Sequence, residues 1–320
     1  MKKIISMGEA LIDFIPTEAD NTQDRKICFV PQAGGAPANV ACCAARLGSE
    51  SYFITKLSKD KFGDLLYKEY GKAGVKLNYI YRTMAANTGL AFIHSNSTES
   101  RDFTFYRNPS ADMLLTKDEI NPDWLDNCIF HVGSVGLIES PMLYAHIKAI
   151  DLVKKKGSIL SFDPNIRLNL WKKPEDCLTA VKSIFTLADI VKVSYDEISF
   201  ITGESDEEEG TMALFQGLNK LVIVTRGNKG ASVYTHHFEV SHPGFTVDVV
   251  DTTGAGDAFM GAFLHQISKI FKPLENLTPE ELFEMLKFSN AVAAISVTKQ
   301  GAIASLPTLK EVEEFLEKHK

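Results

Sequence analysis

Short apolar runs alternate with longer amphipathic segments along most of the chain. The short runs predict seven core strands, at residues 4–7, 52–55, 129–132, 159–162, 190–193, 221–225 and 231–234. The longer segments have apolar residues at helical spacing and predict helices at residues 37–47, 142–155, 174–186, 211–218, 257–270, 279–298 and 309–318. This alternation is typical of an α/β fold, in which crossover helices join the strands of a mostly parallel sheet.

Two segments depart from this pattern because polar and apolar residues alternate within them. They are residues 11–30 and 88–107, and the second includes Leu90, Phe92 and His94. Alternation with a period of two predicts antiparallel strands with one polar face, standing off the main sheet. We therefore expect a single α/β domain over residues 1–320, with a small β lid contributed by about 11–33 and 88–110.

Charge and composition exclude some classes of function. The chain has 34 Lys and Arg against 41 Asp and Glu, a formal net charge of -7, so no global positive field attracts nucleic acid. Residues 27–45 are uncharged, but their prolines and paired glycines would leave backbone groups unsatisfied in lipid, which argues against a membrane span. Five scattered cysteines lack both metal-ligand and disulfide spacing, which predicts reduced thiols in a cytosolic protein.

The strongest motif is Asp-Thr-Thr-Gly-Ala-Gly-Asp at residues 251–257, just before an apolar helical segment. Gly254, Ala255 and Gly256 allow a sharp turn that presents backbone N–H groups at a helix N-terminus, where the helix dipole also favours an anion. Asp257 would repel that anion, unless it takes a proton from a hydroxyl that attacks the bound group. The motif therefore predicts phosphoryl transfer, with Asp257 as general base and residues 254–256 as the anion hole.

Other glycine-rich loops fit this segment less well. A Walker A loop ends in Gly-Lys-Ser/Thr, a tripeptide that the chain does not contain. A dinucleotide-binding fingerprint requires Gly or Ala where this chain has Phe259, and it usually comes early in a chain. A tight turn with an ordinary helix cap stays open as a structural alternative.

A second motif, Gly-Gly-Ala-Pro-Ala-Asn at residues 34–39, predicts a ligand-binding loop that enters a helix. Gly34 and Gly35 permit close approach to a ligand, and Asn39 offers a donor and an acceptor to a hydroxyl. Asp13 could accept hydrogen bonds from two neighbouring sugar hydroxyls. The structural alternatives are a polar residue on a first helical turn for Asn39 and an exposed strand-end carboxylate for Asp13.

In their order and separation, the two motifs resemble the signature regions of the ribokinase-like carbohydrate kinases, also called the phosphofructokinase B family. The strings at residues 8–14 and 103–112 are most similar to those of plant and bacterial fructokinases. The resemblance covers essentially the whole chain. It implies a ribokinase-like, Rossmann-type three-layer sandwich with a mostly parallel central sheet and a small β lid.

The resemblance also implies roles for individual residues. Asp257 matches the catalytic base, and the sugar site matches Asp13, Gly34, Gly35, Asn39, Phe105, Arg107 and Arg167. The ATP site matches Lys192, Ser194, Thr225, Gly227, Gly230 and Asn290, although Ser194 departs from the family's Asn. Glu197 matches the residue that organises Mg2+ through water. A monovalent-cation site, expected to hold K+, matches Asp251, Thr253, Ser296, Lys299, Gly301 and Ser305. Surface ion pairing stays open as an alternative for Arg107 and Arg167.

Together with the phosphoryl-transfer motif, the resemblance implies an ATP-dependent sugar kinase, a fructokinase that forms fructose 6-phosphate with Mg2+ and K+. A sibling kinase for ketodeoxygluconate, aminoimidazole riboside or a nucleoside stays open; Phe105, where ketodeoxygluconate kinases tend to have Tyr, disfavours that acid sugar. A catalytically silent sugar-binding regulatory homologue is the alternative from another class, and the intact Asp257 argues against it. The exposed edges of the lid strands also predict a homodimer through the lids.

Overall fold

A nine-stranded sheet forms the centre of the molecule. The computed structural model describes residues 1–17, 28–95 and 101–319. In chain order its strands are β1 (Lys3–Met7), β2 (Leu11–Thr17), β3 (Cys28–Gly34), β4 (Ser51–Ser58), β5 (Ile80–Thr83), β6 (Gly89–Ser95), β7 (Arg101–Tyr106), β8 (Cys128–Val132), β9 (Ile159–Phe162), β10 (Ile190–Ser194), β11 (Leu221–Thr225), β12 (Ala231–Tyr234) and β13 (Glu239–His242). The large sheet has the order β13-β12-β11-β10-β9-β8-β1-β4-β5. Its neighbours are parallel except for β11–β12 and β12–β13, so the prediction of a mostly parallel sheet is confirmed.

Helices cover both faces of this sheet. They are α1 (Ala36–Arg46), α2 (Lys61–Lys72), α3 (Pro141–Lys155), α4 (Pro174–Phe185), α5 (Tyr195–Thr202), α6 (Glu207–Ala213), α7 (Ala255–Ser268), α8 (Pro279–Ser296) and α9 (Leu309–Lys318). Ile5 and Met7 of β1 belong to the same buried cluster as Met142 of α3, whereas Ile4 belongs to the cluster that contains Phe263 of α7. Because successive strand residues point to opposite faces, the helices form two outer layers, as the three-layer sandwich requires.

A second, four-stranded sheet has the order β3-β2-β6-β7. The pairs β2–β3 and β6–β7 are antiparallel, as the alternating pattern predicts, while the central pair β2–β6 is parallel. Phe14 stacks on Phe92 with 4.6 Å between ring centroids and meets Phe62 of α2 edge to face at 5.8 Å. The predicted lid segments therefore do form a separate small sheet; residues 18–27 and 96–100 of those segments lie outside the described residues.

The helix predicted at residues 211–218 is wrong in its bounds. The helix α6 begins after Asp206, whose carboxylate accepts hydrogen bonds from the N–H groups of Glu208 and Glu209, and it ends at Ala213. Gly217 then adopts a φ of +64°, which a continuing helix does not allow. Glu207, Glu208 and Glu209 thus form the first turn of this helix.

Several elements were not expected from the hydrophobic pattern. The strands β5 and β13 have only four residues each, too few for a clear alternation, and α5 has eight. The start of α2 does have a sequence signal, because Asp60 is a residue type that is favoured as a helix N-cap. In the structure its carboxylate accepts a hydrogen bond from the N–H of Gly63. In the part of the chain that is described, no helix combines the length and apolarity needed to cross a bilayer.

Candidate active site

The motif at residues 251–257 forms the N-terminal turn of α7. Gly254 takes the left-handed conformation with φ +75°, and a Cβ placed on it would lie 2.8 Å from the Cβ of Ala302. Gly254 is therefore required both for its backbone angle and for this close approach. The N–H groups of Gly256 and Asp257 lie in the first helical turn and have no acceptor one turn earlier in the helix, so they are free to bind an anion.

The second motif brings Asn39 to the same place. Asn39 lies in the first turn of α1, and its Nδ2 donates a hydrogen bond of 2.8 Å to Oδ2 of Asp257. Burial raises the pKa of Asp257 to about 7, and the hydrogen bond from Asn39 acts in the opposite direction. A carboxyl group with this pKa is suited to general base catalysis near neutral pH.

Asp13 adds a second buried carboxylate. It lies in β2, and burial together with the nearby charge of Asp257 raises its pKa to about 7. A Cβ on Gly34 would lie 2.7 Å from Cγ of Asp13, so the glycine makes room for this side chain. Next to it, Gly35 has φ +107° and precedes α1. Thus both glycines of the motif have a structural requirement.

These residues line one cavity at the edge of the sheet. Of the residues predicted for the sugar site, it is bordered by Asp13, Gly35, Asn39, Phe105 and Arg167, and by Gly254 and Asp257 of the catalytic loop. Glu9, Phe103, Asn165 and Thr253 also line it and were not predicted as sugar ligands. The cavity brings together residues from the two ends of the chain.

Arg167 and Arg107 occupy different environments. The guanidinium of Arg167 lies 5.5 Å from the ring centroid of Phe103, which stacks on Phe105 at 5.7 Å. Arg107 instead donates two hydrogen bonds to Oδ2 of Asp112, from Nε at 2.9 Å and from Nη2 at 2.6 Å. This ion pair is buried, and its Arg107 lines a neighbouring groove, so a contact between Arg107 and sugar stays a prediction.

A buried ion pair lies beside the catalytic loop. The Nζ of Lys192 in β10 is 2.9 Å from Oδ2 of Asp163, which directly follows β9, and Oδ1 of Asp163 has no hydrogen-bond partner within the described residues. Burial by itself would lower the pKa of Lys192, but the charges of Asp163 and Glu197 raise it. A Cβ on Gly256 would lie 3.2 Å from this Nζ, so a positive charge adjoins the helix N-terminus.

Several residues predicted to bind the nucleotide and Mg2+ lie at or just after the ends of β10 and β11. Ser194 and Glu197 form a capping box at the start of α5, and Oε1 of Glu197 accepts a 2.7 Å hydrogen bond from the N–H of Ile166. Glu197 thus connects α5 to the loop that carries Arg167. Of the other predicted ATP residues, Thr225 ends β11, Gly227 and Gly230 have positive φ, and Asn290 of α8 lies 3.3 Å from the ring of His242.

Asp251 organises the loop predicted to hold a monovalent cation. Its Oδ1 accepts hydrogen bonds from the N–H and Oγ1 of Thr253, at 2.9 and 2.7 Å, and its Oδ2 accepts one of 2.9 Å from the N–H of Gly301. Lys299 points away to Glu311, at 3.4 Å. The remaining two predicted residues bond through their hydroxyls to nearby backbone carbonyls: Ser296 and Ser305.

Most of this chain is similar to proteins that are already known. The family profile described as pfkB family carbohydrate kinase matches residues 1–309. Fructokinase-1 of Zea mays is 44% identical over 317 residues, which cover 98% of each protein. Fructokinase-2 of Oryza sativa subsp. japonica is 45% identical over 318 residues, which cover 98% of this chain and 94% of the relative.

Solved structures with a similar fold include fructokinases. A fructokinase from Vibrio cholerae O395 in a fructose, ADP and calcium ion bound form has a TM-score of 0.91 and 32% identity, with 99% of each chain covered. A fructokinase with bound ATP from Xylella fastidiosa has a TM-score of 0.89 and 32% identity, over 99% of this chain and 98% of that one. The profile match, the relatives at 44% and 45% identity and the shared fold show that this chain belongs to the pfkB family of carbohydrate kinases.

Proposed function

We propose that this protein is a fructokinase, which transfers the γ-phosphoryl group of ATP to the terminal hydroxyl of D-fructose and forms fructose 6-phosphate and ADP. The observation that carries the proposal is the position of Asp257, buried in the first turn of α7 within the cavity that also holds Asp13 and Asn39. The choice of fructose is supported by the names of the relatives and by the fructose present in the similar Vibrio cholerae structure.

The chemistry follows from the positions of these groups. Asp13 and Asn39 hold the sugar by hydrogen bonds, and Asp257 takes the proton of the terminal hydroxyl. The sugar oxygen then forms a bond to the γ-phosphorus while the bond from this phosphorus to the β–γ bridging oxygen breaks, and ADP leaves. The N–H groups at the start of α7 and the charge of Lys192 stabilise the negative charge on the transferring group.

Metal ions are part of the proposal. Oδ1 of Asp163 is a buried acceptor without a partner in the described chain, close to the carboxylate of Glu197, and this acidic edge fits Mg2+ bound through water. Magnesium neutralises charge on the β- and γ-phosphates when ATP is bound. The Asp251 loop fits K+ through its backbone carbonyls, because the carboxylate of Asp251 already accepts hydrogen bonds from Thr253 and Gly301.

We further infer that the small sheet acts as a lid. Phe103 and Phe105 of β7 line the same cavity as Asp257 of α7, so movement of this sheet onto bound sugar would exclude water. Pairing of two lids in a homodimer and a cytosolic location belong to the same proposal, the latter supported by four buried, unbridged cysteines.

A coupled ADP-release assay tests the proposal. Purified protein with Mg2+ and ATP is assayed against fructose, other ketoses, aldoses, ketodeoxygluconate and nucleosides, with and without K+, beside Asp257→Asn as the matched inactive control. The highest kcat/KM is expected for fructose. A higher value for a nucleoside or for ketodeoxygluconate would assign a sibling kinase, and no sugar-dependent ADP release at all would favour a silent binding protein.

A further inference from the structure

A side chain of the small sheet reaches the loop between α8 and α9, which is hydrogen-bonded to the residues before the catalytic helix α7. Gln32 of β3 lies directly opposite Asp13 of β2 in the antiparallel register. Residues opposite each other in such a pair point to the same face, so Gln32 shares the face that carries the carboxylate of Asp13. A Cβ placed on Gly301 would lie 2.6 Å from Cδ and 3.0 Å from Nε2 of Gln32, so the Gln32 amide packs against the bare backbone of Gly301.

Gly301 is connected in turn to the anion hole. Its N–H donates a hydrogen bond to Oδ2 of Asp251, and Oδ1 of the same carboxylate accepts two from Thr253. Thr253 immediately precedes Gly254, whose left-handed conformation begins α7. Direct contacts thus join the sugar-binding strand to the N–H groups that face the transferring phosphoryl group.

We propose that Gln32 is a positioning residue, which couples sugar binding on the small sheet to the geometry of the anion-hole loop. This inference rests on the proposed function. Sugar bound to Asp13 fixes β2 and β3 against the core, and Gln32 then presses on Gly301, which holds Asp251 and the turn that follows it. The loop therefore reaches its phosphoryl-binding geometry when the sugar site is filled, which limits ATP hydrolysis in the absence of sugar.

The contact depends on the length of the side chain. Within the described part of the chain, the side-chain amide of Gln32 forms no hydrogen bond. Its interaction with Gly301 is therefore one of packing. Methionine has a similar length and should preserve this packing, whereas alanine should remove it. Val30, on the same strand and face but 42% exposed, provides a control position.

The test compares Gln32→Ala, Gln32→Met and Val30→Ala with the unmodified protein. Calorimetry measures the Kd of a non-hydrolysable ATP analogue with Mg2+, with and without fructose, and steady-state assays give kcat. For the unmodified protein we expect fructose to tighten binding of the analogue about 5-fold or more. Gln32→Ala should lose most of this enhancement and about 10-fold in kcat, while its Kd for fructose alone changes less than about threefold. Gln32→Met and Val30→Ala should behave like the unmodified protein.

Three results would overturn the inference. They are an unmodified protein in which fructose leaves the affinity for the analogue unchanged, a Gln32→Ala variant that matches Val30→Ala in both coupling and kcat, and a Gln32→Ala variant that loses fructose affinity with kcat intact. Thermal melting of each variant checks its folding. Failure of the proposed function itself is distinguishable, because the unmodified protein would then release no ADP in response to fructose.

Discussion

The amide Nδ2 of Asn39 donates a hydrogen bond of 2.8 Å to Oδ2 of Asp257, although 218 positions of sequence separate the two residues. The bond joins the first turns of α1 and α7, so two helix N-termini converge on one carboxylate. Oδ1 of Asn39 is buried and has no partner among the described residues, which leaves an acceptor next to the base for a sugar hydroxyl.

Replacing Asn39 by Ala should shift the pH dependence of the reaction. The hydrogen bond from Asn39 lowers the pKa of Asp257 against the larger effect of burial, so its loss raises that pKa. A hydrogen bond to a charged group is worth about 1.5–3 kcal/mol, which corresponds to about one to two pH units. The acid limb of the kcat/KM profile should move up by that amount, and an unchanged limb would exclude this role for Asn39.

Replacing Asp257 by Asn should remove the base while preserving its size. General base catalysis contributes about 10²–10⁴-fold to the rate, so kcat should decrease by a factor of about 10² or more. The Kd for fructose, measured by calorimetry, should change little because Asp13 and Asn39 still bind the sugar. Turnover close to normal in the purified variant would show that another group accepts the proton.

The unmodified enzyme should lose kcat/KM as the pH falls below about 7. Burial raises the pKa of Asp257 to about 7, and its protonated form cannot accept the proton of the hydroxyl. Burial and the charge of Asp257 also raise the pKa of Asp13 to about 7, so two protonations contribute and the acid limb should be steeper than one unit of log rate per pH unit. A pH–rate profile between pH 5 and pH 9 measures this slope. A limb centred near pH 4 would contradict the burial of both carboxyls.

Replacing Asp13 by Asn should weaken sugar binding and stabilise the fold. The KM for fructose should rise about 10- to 100-fold, because hydrogen bonds to a charged acceptor are lost. Burial raises the folded-state pKa of Asp13 to about 7, so the folded protein binds a proton more tightly than the unfolded chain and loses stability as the pH rises through this window. The variant should therefore have a higher Tm than the unmodified protein at pH 8, with the difference vanishing below pH 4. An equal or lower Tm at pH 8 would contradict this.

The two glycine-rich motifs predict much of this site. Asn39 and Asp257 lie on the first turns of α1 and α7, and free N–H groups at a helix N-terminus are suited to bind polar ligands. That the two motifs meet in one cavity with Asp13 was expected from the family resemblance, because Asp13 lies in β2 of the small sheet and no hydrophobic pattern relates it to α7. The lid segments could be predicted from the pattern itself, because a period of two needs no knowledge of the partner strand.

Pairings between separate elements could not be predicted in this way. Asp163 directly follows a buried strand, which was a usable signal, but its ion pair with Lys192 depends on the packing of β9 beside β10. The Arg107 side chain points towards Asp112 because the two form an ion pair, and Asp112 lies in a short turn whose sequence has no periodic pattern. The contact between Gln32 and the core depends on the register of β2 and β3. Each is set by the three-dimensional packing of different segments.

The Lys192–Asp163 pair allows stability and catalysis to be separated. Both side chains are buried, so Lys192→Met leaves an unpaired acid and should reduce the free energy of unfolding by about 3–5 kcal/mol. Combining it with Asp163→Asn removes the unpaired charge and should restore most of this stability. Yet kcat of the double variant should stay low, because no cation then adjoins Gly256 and residue 163 no longer offers a carboxylate to Mg2+.

Denaturant unfolding and the ADP-release assay, applied to the same preparations, make this comparison. Lys155→Met is a suitable control, because Lys155 forms an ion pair with Asp151 in which both side chains are largely exposed, so neither stability nor kcat should change appreciably. If the double variant recovered kcat together with stability, Lys192 would have only a structural role. Recovery of stability alone would show that the charged pair acts on the reaction, through Lys192 beside the phosphoryl group or through Asp163 at the Mg2+ edge, since the unpaired charge would already have been removed.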